Sequence, residues 1–439
     1  MTTVTELTGS MQTLLVEAAE QAGRSSGFVR RRSKLGGGEF AQALVFGWLA
    51  NPDSTLEQLS QTAAAVGVRV SPQGLDARFG PASAECMRLV LAAAVQRAVA
   101  AEPVHLGLLS RFDAVVLVDG SVVGLPGELA EAFPGCGTAS GTSASLKIGV
   151  SFDLLTGRLG VLDLLPGKEH DRSLPLQRAD VQPGALRLAD LGFFDLKVLQ
   201  ALDNQKAYWL TQMQVQTAIY DPEGKRLDLP TLLKHKCKRR LETRVLVGAD
   251  SRISCRLLAM RVPKHVAKVR RERLHSEARR RKQTASQARL ALCAWTVLIS
   301  NVEQELLSLE EAMVLARLRW QIELLFKLWK SHGKLDEWRS HKPWRILTEV
   351  YAKLVAMLIQ HWILVVGCWQ YPDRSLAKAA QAIQAHAPQL AAGFAAYPQL
   401  CHALHTVARC LAAVGRLNAR KTAPSTAQLL LALDDEGLA

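Results

Sequence analysis

Close cysteine pairs are missing from this chain. Its eight cysteines, at positions 86, 136, 237, 255, 293, 368, 401 and 410, lack the short paired spacings of a zinc site or a disulfide framework, so all are read as reduced thiols. Cys401, His402, His405 and Cys410 can be drawn as a metal cluster, but an Ala/Leu-rich helical stretch favours ordinary packing. An unbroken apolar run of membrane-spanning length is missing too. The most apolar stretch, residues 354–369, is interrupted by Gln360 and His361 and is shorter than the roughly 20 residues a span needs, which predicts a buried helix and no membrane partner. Met1, Thr2 and Thr3 open a segment with neither a basic leader nor a following apolar stretch. A secretory signal is therefore not expected, and the expected location is the cytoplasm.

Acidic residues are scarce where basic ones concentrate. The formal charge is +14 and the pI near 9.6, which points to a polyanionic partner such as nucleic acid. Residues 234–282 hold eighteen Lys or Arg against four acids, Glu242, Asp250, Glu272 and Glu277. That segment alone balances at +14, so the rest of the chain is close to neutral. Such a concentration reads as a binding surface, with a solvated basic helix as the bland alternative.

What is present falls into stretches of different character. Residues 40–97 are rich in Ala and Leu and predict several short helices. Ser54 or Thr55 can cap one through Gln61, Gly67 can turn the chain, and Ser71-Pro72 can open another that runs to Phe79. This is the outline of a helix-turn-helix whose second helix would present Gln73, Asp76, Ala77 and Arg78 to base edges or phosphates. Two helices packed at a glycine give the same outline. A basic cluster, Arg30, Arg31, Arg32 and Lys34, lies upstream.

From Ala114 the pattern changes to strands. Ala-Val-Val-Leu-Val ending at Asp119-Gly120 reads as a buried strand with a carboxylate at its C-terminal end, and further strands are expected at 145–152, 158–164, 185–189 and 207–214. A helix is expected at 196–204. Mixed elements of this kind predict an α/β domain, in which catalytic groups gather near strand ends. Asp221-Pro222-Glu223-Gly224 reads as a turn, and two more strands are expected at 243–247 and 253–260. Ser308-Leu309-Glu310-Glu311 forms a capping box, opening one helix of six to seven turns that Gly333 can end. The C-terminal region from Pro343 onward reads as helical.

Three acids could serve phosphodiester chemistry. Cleavage requires an activated hydroxyl, a stabilised leaving oxygen and a neutralised phosphate, and two divalent ions held by carboxylates supply all three. Asp119 and Asp190 each lie at an expected strand end, and Glu323 lies on the capped helix. Mg²⁺ suits such hard oxygen ligands, with Mn²⁺ as the alternative. Arg319, Glu323 and Lys330 are spaced by four and seven residues, within roughly 40° on one helical face. That face is either a carboxylate flanked by phosphate-gripping cations or an exposed ion-pair network. Trp295 is either a core residue or a platform for an unstacked base.

With these residues the chain resembles bacterial insertion-sequence transposases of the insertion sequence four type. Their signature runs Tyr, two residues, Arg, three residues, Glu, six residues, Lys. Arg319, Glu323 and Lys330 stand at the required intervals, and Ala316 occupies the Tyr position. The resemblance also covers the Val-Asp-Gly segment at Asp119, the Ala-Asp-Leu-Gly-Phe-Phe segment at Asp190, and the N-terminal region from Arg-Arg-Arg-Ser-Lys-Leu to Pro-Gln-Gly-Leu-Asp.

The resemblance implies a catalytic triad of Asp119, Asp190 and Glu323 on a ribonuclease H-like α/β core, and a β-rich insertion between Asp190 and Glu323. It further implies a homodimer that pairs DNA ends, double-stranded DNA as substrate and target, and a bacterial, nucleoid-associated location. The expected organisation is a helical DNA-binding region at 1–105, the core at 106–215 and 290–345, a basic β-rich insertion at 216–289, and a helical, dimerising C-terminal region at 346–439. Arg319 and Lys330 would hold phosphate, and Lys238, Arg239, Arg240, Gln73 and Arg78 would contact the duplex. Ala316 can neither stack nor donate a hydroxyl hydrogen bond, which puts one DNA contact in doubt without removing a metal ligand.

Overall fold

The computed structural model describes residues 1–31, 34–137, 143–235, 239–418 and 426–436. Arg32, Cys237 and Lys238 lie outside the described residues.

Helices α1 (Val4–Gln12), α2 (Ala19–Ser25), α3 (Gly37–Ala50), α4 (Leu56–Ala65), α5 (Pro72–Asp76) and α6 (Pro81–Val95) come first. Strands β1 (Val115–Leu125), β2 (Ala144–Asp153), β3 (Leu159–Pro166) and β4 (Leu186–Ala189) follow, then α7 (Leu196–Asn204) and β5 (Tyr208–Gln212). Next are β6 (Ile219–Tyr220), β7 (Arg226–Leu227), α8 (Leu229–His235), β8 (Arg240–Val247), β9 (Ile253–Arg261), α9 (Lys264–Arg280), α10 (Gln287–Leu292) and β10 (Trp295–Ser300). The chain continues with α11 (Leu309–Leu318), α12 (Trp320–Ser331), α13 (Pro343–Cys368), α14 (Leu376–Gly393), α15 (Tyr397–Val414) and α16 (Thr426–Glu436).

Two compact units result. The first comprises Met1–His105, Gly120–Glu169 and Gln321–Gln428, and the second comprises Leu106–Asp119, His170–Trp320 and the segment from Leu429.

The first unit is built around α13. This helix is long and apolar enough to cross a membrane, yet its most apolar window is 94% buried among protein. It begins eleven residues before the apolar run that predicted it, because Pro343 supplies the first turn and Ile346, Leu347 and Val350 already face inward. Helices α3, α6, α14 and α15 pack against it. The short helices expected near the N-terminus are present. Thr55 caps α4 in a capping box with Gln58, Gly67 takes a φ of +97°, and Ser71 caps α5 with Pro72 in its first turn. α5 stops at Asp76, shorter than expected.

The antiparallel β2–β3 pair belongs to this unit and is fastened to α13 through its turn. The Trp369 indole donates to the Leu154 carbonyl at 3.2 Å, and His361 Nε2 donates to the Gly157 carbonyl at 2.6 Å. Gly157 takes a φ of +72°, and a Cβ there would meet the Trp369 ring at 2.6 Å, so only glycine fits. Burial pushes the His361 pKa down to about 4, with the nearby Arg374 charge acting in the same direction and the Gly157 hydrogen bond opposing both. In the unfolded chain the value returns to about 6.5. The neutral histidine therefore gives stability that is complete above pH 6.5 and lost as pH falls toward 4, on the order of 3 kcal/mol. Denaturant midpoints at pH 7.5 and 5 should diverge less in His361→Leu than in the intact protein; an equal divergence would remove His361 as the cause.

The second unit is a mixed sheet in the order β1-β4-β5-β10-β9-β8-β6-β7. β1, β4 and β5 run parallel, and from β10 outward the pairings are antiparallel. Trp209, Leu257, Ala259 and Ile299 sit in its core, and α7 buries Leu199 and Leu202 there. Trp295, drawn above as either a stacking platform or a core residue, is partly buried against this cluster.

Three expectations need correction. First, β1 does not end at Asp119-Gly120. The alternation continues with Val123 and Leu125 buried and Val122 and Gly124 exposed, so the strand runs on to Leu125. Second, the helix expected from Ser308 through Ser331 is two helices. Its hydrogen-bond ladder opens at Arg319, whose backbone stays right-handed helical at φ −50° and ψ −31° while its side chain reaches toward two carboxylates. Third, the segment expected to be a β-rich insertion is as much helix as strand, since α8, α9 and α10 interleave with β6 to β9. Half of its eighteen basic residues lie on or just after α9. Lys and Arg are good helix formers, and their charge suits a solvated helix better than a packed sheet face.

Candidate active site

Two parallel strands bring two acids to one place. β1 and β4 pair in register from Val115 with Leu186 to Val118 with Ala189. Asp119 and Asp190 are the next residue on each strand. They emerge side by side where the parallel pairing ends, at the carboxyl end of β4, where ligands commonly bind in α/β sheets. The sequence forces this locally. Val115, Leu117 and Val118 are buried on β1, and all four residues of β4 are buried, so neither strand can slip without turning apolar side chains to water. Asp190 also begins the short turn Leu191–Phe193, with the Phe193 amide donating to its carbonyl at 2.9 Å.

One cation serves both acids. Arg319 lies with Nη1 3.8 Å from Asp119 Oδ2 and Nε 3.9 Å from Asp190 Oδ1. The Asp119 and Arg319 side chains are 15% and 19% exposed, whereas Asp190 is 43% exposed. The pair of carboxylates thus opens to solvent on the Asp190 side. Two carboxylates at one strand end supply hard oxygen donors of the kind divalent cations take.

Glu323 and Lys330 belong to the first unit, on α12, seven residues apart and so on the same helical face. Glu323 lies in the first turn and is partly exposed. The Lys330 ammonium donates to the Val122 carbonyl at 2.8 Å. This bond ties α12 to the second half of β1, three residues beyond Asp119. Among the described residues, no group of three His, Cys, Asp or Glu side chains is gathered as a ready-made metal site.

Other expected contact residues have diverse settings. Gln73 is exposed on α5. Arg78 is turned inward, its guanidinium 4.2 Å from the centre of the Phe28 ring and donating to the Phe28 carbonyl at 3.1 Å, and burial lowers its pKa. Asp76 is held by Lys342 at 2.6 Å and Arg345 at 3.0 Å, so the helix-turn-helix outline offers a ligand less than its sequence suggested. Arg239 is exposed, and Arg240 pairs with Glu310 at 3.1 Å. Arg256 counts toward the basic concentration but is buried, donating to Glu242, Val302 and Leu307 as an internal strut. Trp320 was missed. It is 56% exposed between Arg319 and Glu323, and its signal was a tryptophan on the polar side of a helix that buries Ile322, Leu325, Phe326 and Trp329.

The sequence profile of a family described as a transposase DDE domain matches residues 110–359. Over 363 residues the chain is 27% identical to the transposase for insertion sequence element IS231B of Bacillus thuringiensis subsp. berliner, covering 77% of this chain and 75% of that protein. It is 26% identical over 366 residues to the transposase for insertion sequence element IS1151 of Clostridium perfringens, covering 78% and 76% respectively.

Proposed function

The chain belongs to the transposase DDE-domain family, and from that premise we propose that Asp119, Asp190 and Glu323 are the acids that give it its activity. It is a DNA transposase, an enzyme that cleaves DNA and transfers the cut strand, and family membership implies dependence on a divalent metal. The observation that carries the site assignment is the side-by-side emergence of Asp119 and Asp190 from paired parallel strands with Arg319 against both.

Asp119 and Asp190 offer hard oxygen donors at one strand end, and with Glu323 as the third acid of this reading they would hold a hard divalent ion, Mg²⁺ first and Mn²⁺ as substitute. When bound, a pair of such ions supplies Lewis-acid stabilisation of in-line phosphoryl transfer. Water attacks the phosphodiester at an element end, the bond from phosphorus to the 3′ oxygen breaks, and that oxygen leaves as a free 3′ hydroxyl. The hydroxyl then attacks a target phosphodiester, forming one ester and expelling one target 3′ oxygen. Arg319, placed against both carboxylates, would offer its fork of N–H donors to a non-bridging phosphate oxygen. Lys330, a phosphate-positioning residue in this reading, fixes α12 against the second half of β1 through the Val122 carbonyl. Trp320, exposed and next to Arg319 in the chain, would offer its ring to an unpaired base.

Further features support finer readings. The strand order β3-β2-β1 in the first unit and the parallel β1-β4-β5 in the second fit a ribonuclease H-like core. The spacing of Arg319, Glu323 and Lys330 fits the insertion sequence four type, with Ala316 replacing its Tyr. Arg239, Arg240 and Gln73 are exposed for duplex contact; Lys238 joins them by charge alone. Pairing two element ends calls for a homodimer, for which the helical C-terminal region is available.

Cleavage and joining on duplexes carrying the element's own ends test the metal requirement. With Mg²⁺ both products are expected; with a chelator both should vanish while DNA binding persists. Cutting without joining would identify a nuclease, and cutting in the chelator would overturn the carboxylate–metal assignment.

A further inference from the structure

One face of α9 is a row of cations with no counterpart in the chemistry above. The helix is anchored along one narrow edge, where Ala267 and Leu274 are buried and Arg270 donates to the Trp295 carbonyl at 2.8 Å and to Thr296 Oγ1 at 3.2 Å. At about 100° per residue, Lys264, Lys268, Arg271, His275 and Arg279 fall within roughly 80° of one another on a different side. All five are exposed. One acid borders the row, Glu272, 4.0 Å from Lys268 with both side chains largely in solvent, while Glu277 lies on another side. Such an exposed pair is worth little and leaves Lys268 free to exchange partners. Arg271 Nε donates to the Leu290 carbonyl at 3.4 Å, which leaves most of its five N–H donors for a ligand.

We infer that this face of α9 is a rail for the sugar–phosphate backbone of a DNA duplex, gripping it without reading its sequence. The inference rests on the transposase reading and adds a surface to it. From Lys264 to Arg279 the row extends about 22 Å at 1.5 Å per residue, with a cation or histidine every 4.5 to 6 Å. That length spans six to seven base-pair rises of about 3.4 Å each along a duplex axis. The helix carries no Asn or Gln, the side chains suited to reading adenine edges. Its long, flexible, like-charged side chains are built to follow phosphates. Anchoring by so narrow an edge would be a poor use of a 17-residue helix whose purpose was to stabilise the unit.

The test uses the full chain with Lys264, Lys268, Arg271 and Arg279 all changed to Gln, a good helix former that removes the charges. Binding is measured at one fixed pH over a salt series, on the element's terminal duplex and on an unrelated duplex of equal length. Each phosphate contact contributes about 0.9 to the slope of log affinity against log salt. The slope should therefore flatten by roughly 3 to 4, with a similar weakening on both duplexes. The double variant Lys268→Gln, Arg279→Gln, kinder to folding, should flatten it by roughly 2. Arg273→Gln with Arg280→Gln, the same charge loss on another side of α9, should change it far less. An unchanged slope, a loss confined to the terminal duplex, or an equal effect of the Arg273 and Arg280 changes overturns the rail. Cleavage by the intact protein is scored separately. A protein that cuts but shows no slope change keeps its function and loses the rail, whereas one that never cuts yet shows the change keeps the rail and loses the function.

Discussion

Glu323→Gln is expected to abolish both cutting and joining by more than about 10³-fold, equivalent to over 4 kcal/mol of transition-state stabilisation. The substitution keeps size and hydrogen-bonding atoms but removes the charge a divalent ion needs. Glu323 is partly exposed in the first turn of α12, which buries Ile322, Leu325, Phe326 and Trp329. The variant should therefore fold with an unchanged thermal midpoint and bind terminal DNA within about a factor of two of the intact protein, since its phosphate contacts are untouched. Single-turnover nicking on pre-bound ends, with joining scored on the same gel, reads the effect. Cleavage within tenfold of the intact protein would remove Glu323 from the metal set and leave Asp119 and Asp190 seeking a third ligand.

The largest stability effect is expected from Lys353→Met. Lys353 is almost wholly buried in α13, paired with Glu349 at 2.8 Å, and its ammonium also donates to the carbonyls of Lys334 at 2.9 Å and Glu337 at 2.8 Å. Those carbonyls belong to the segment leaving α12, where Lys334 sits at a φ of +45° and pairs with Asp53. Removing Lys353 leaves a buried carboxylate and two carbonyls without their donor, which costs about 3–5 kcal/mol. In a unit of this size the thermal midpoint should fall by roughly 10 °C. Burial already raises the Glu349 pKa, and the Lys353 charge is the chief influence holding it down. Without that charge the folded-state pKa climbs further above the unfolded value. The variant's deficit should then be greatest above that pKa and shrink as acid protonates Glu349. Glu349→Leu combined with Lys353→Met should recover much of the loss, because apolar replacement of both partners removes the desolvation cost. A midpoint within about 2 °C of the intact protein would mean the segment after α12 is held by other contacts.

Much of the framework could be read from local pattern. The boundaries of α7, the capping boxes at Thr55 and Ser308, and the buried strand runs of β1, β4, β8 and β9 follow from apolar periodicity and hydrogen-bonding side chains at helix starts. Pattern failed where the deciding partner was distant in sequence. Arg78 has the chemistry of a DNA contact, and only the Phe28 ring and carbonyl turn it inward. Arg256 adds to the basic count, and only the carbonyls of Val302 and Leu307 reveal it as a strut.

The sequence by itself determined which three acids are candidates, the spacing of Arg319, Glu323 and Lys330, and the +14 balance of residues 234–282, because residue type and interval are local properties of the chain. Tertiary structure alone decided that Asp119 and Asp190 emerge side by side with Arg319 between them, since their alignment depends on the pairing of two strands about seventy residues apart. It alone also decided which basic residues face water, because a Lys or Arg has the same charge on the rail of α9 as it has buried as a strut, and only its neighbours distinguish the two.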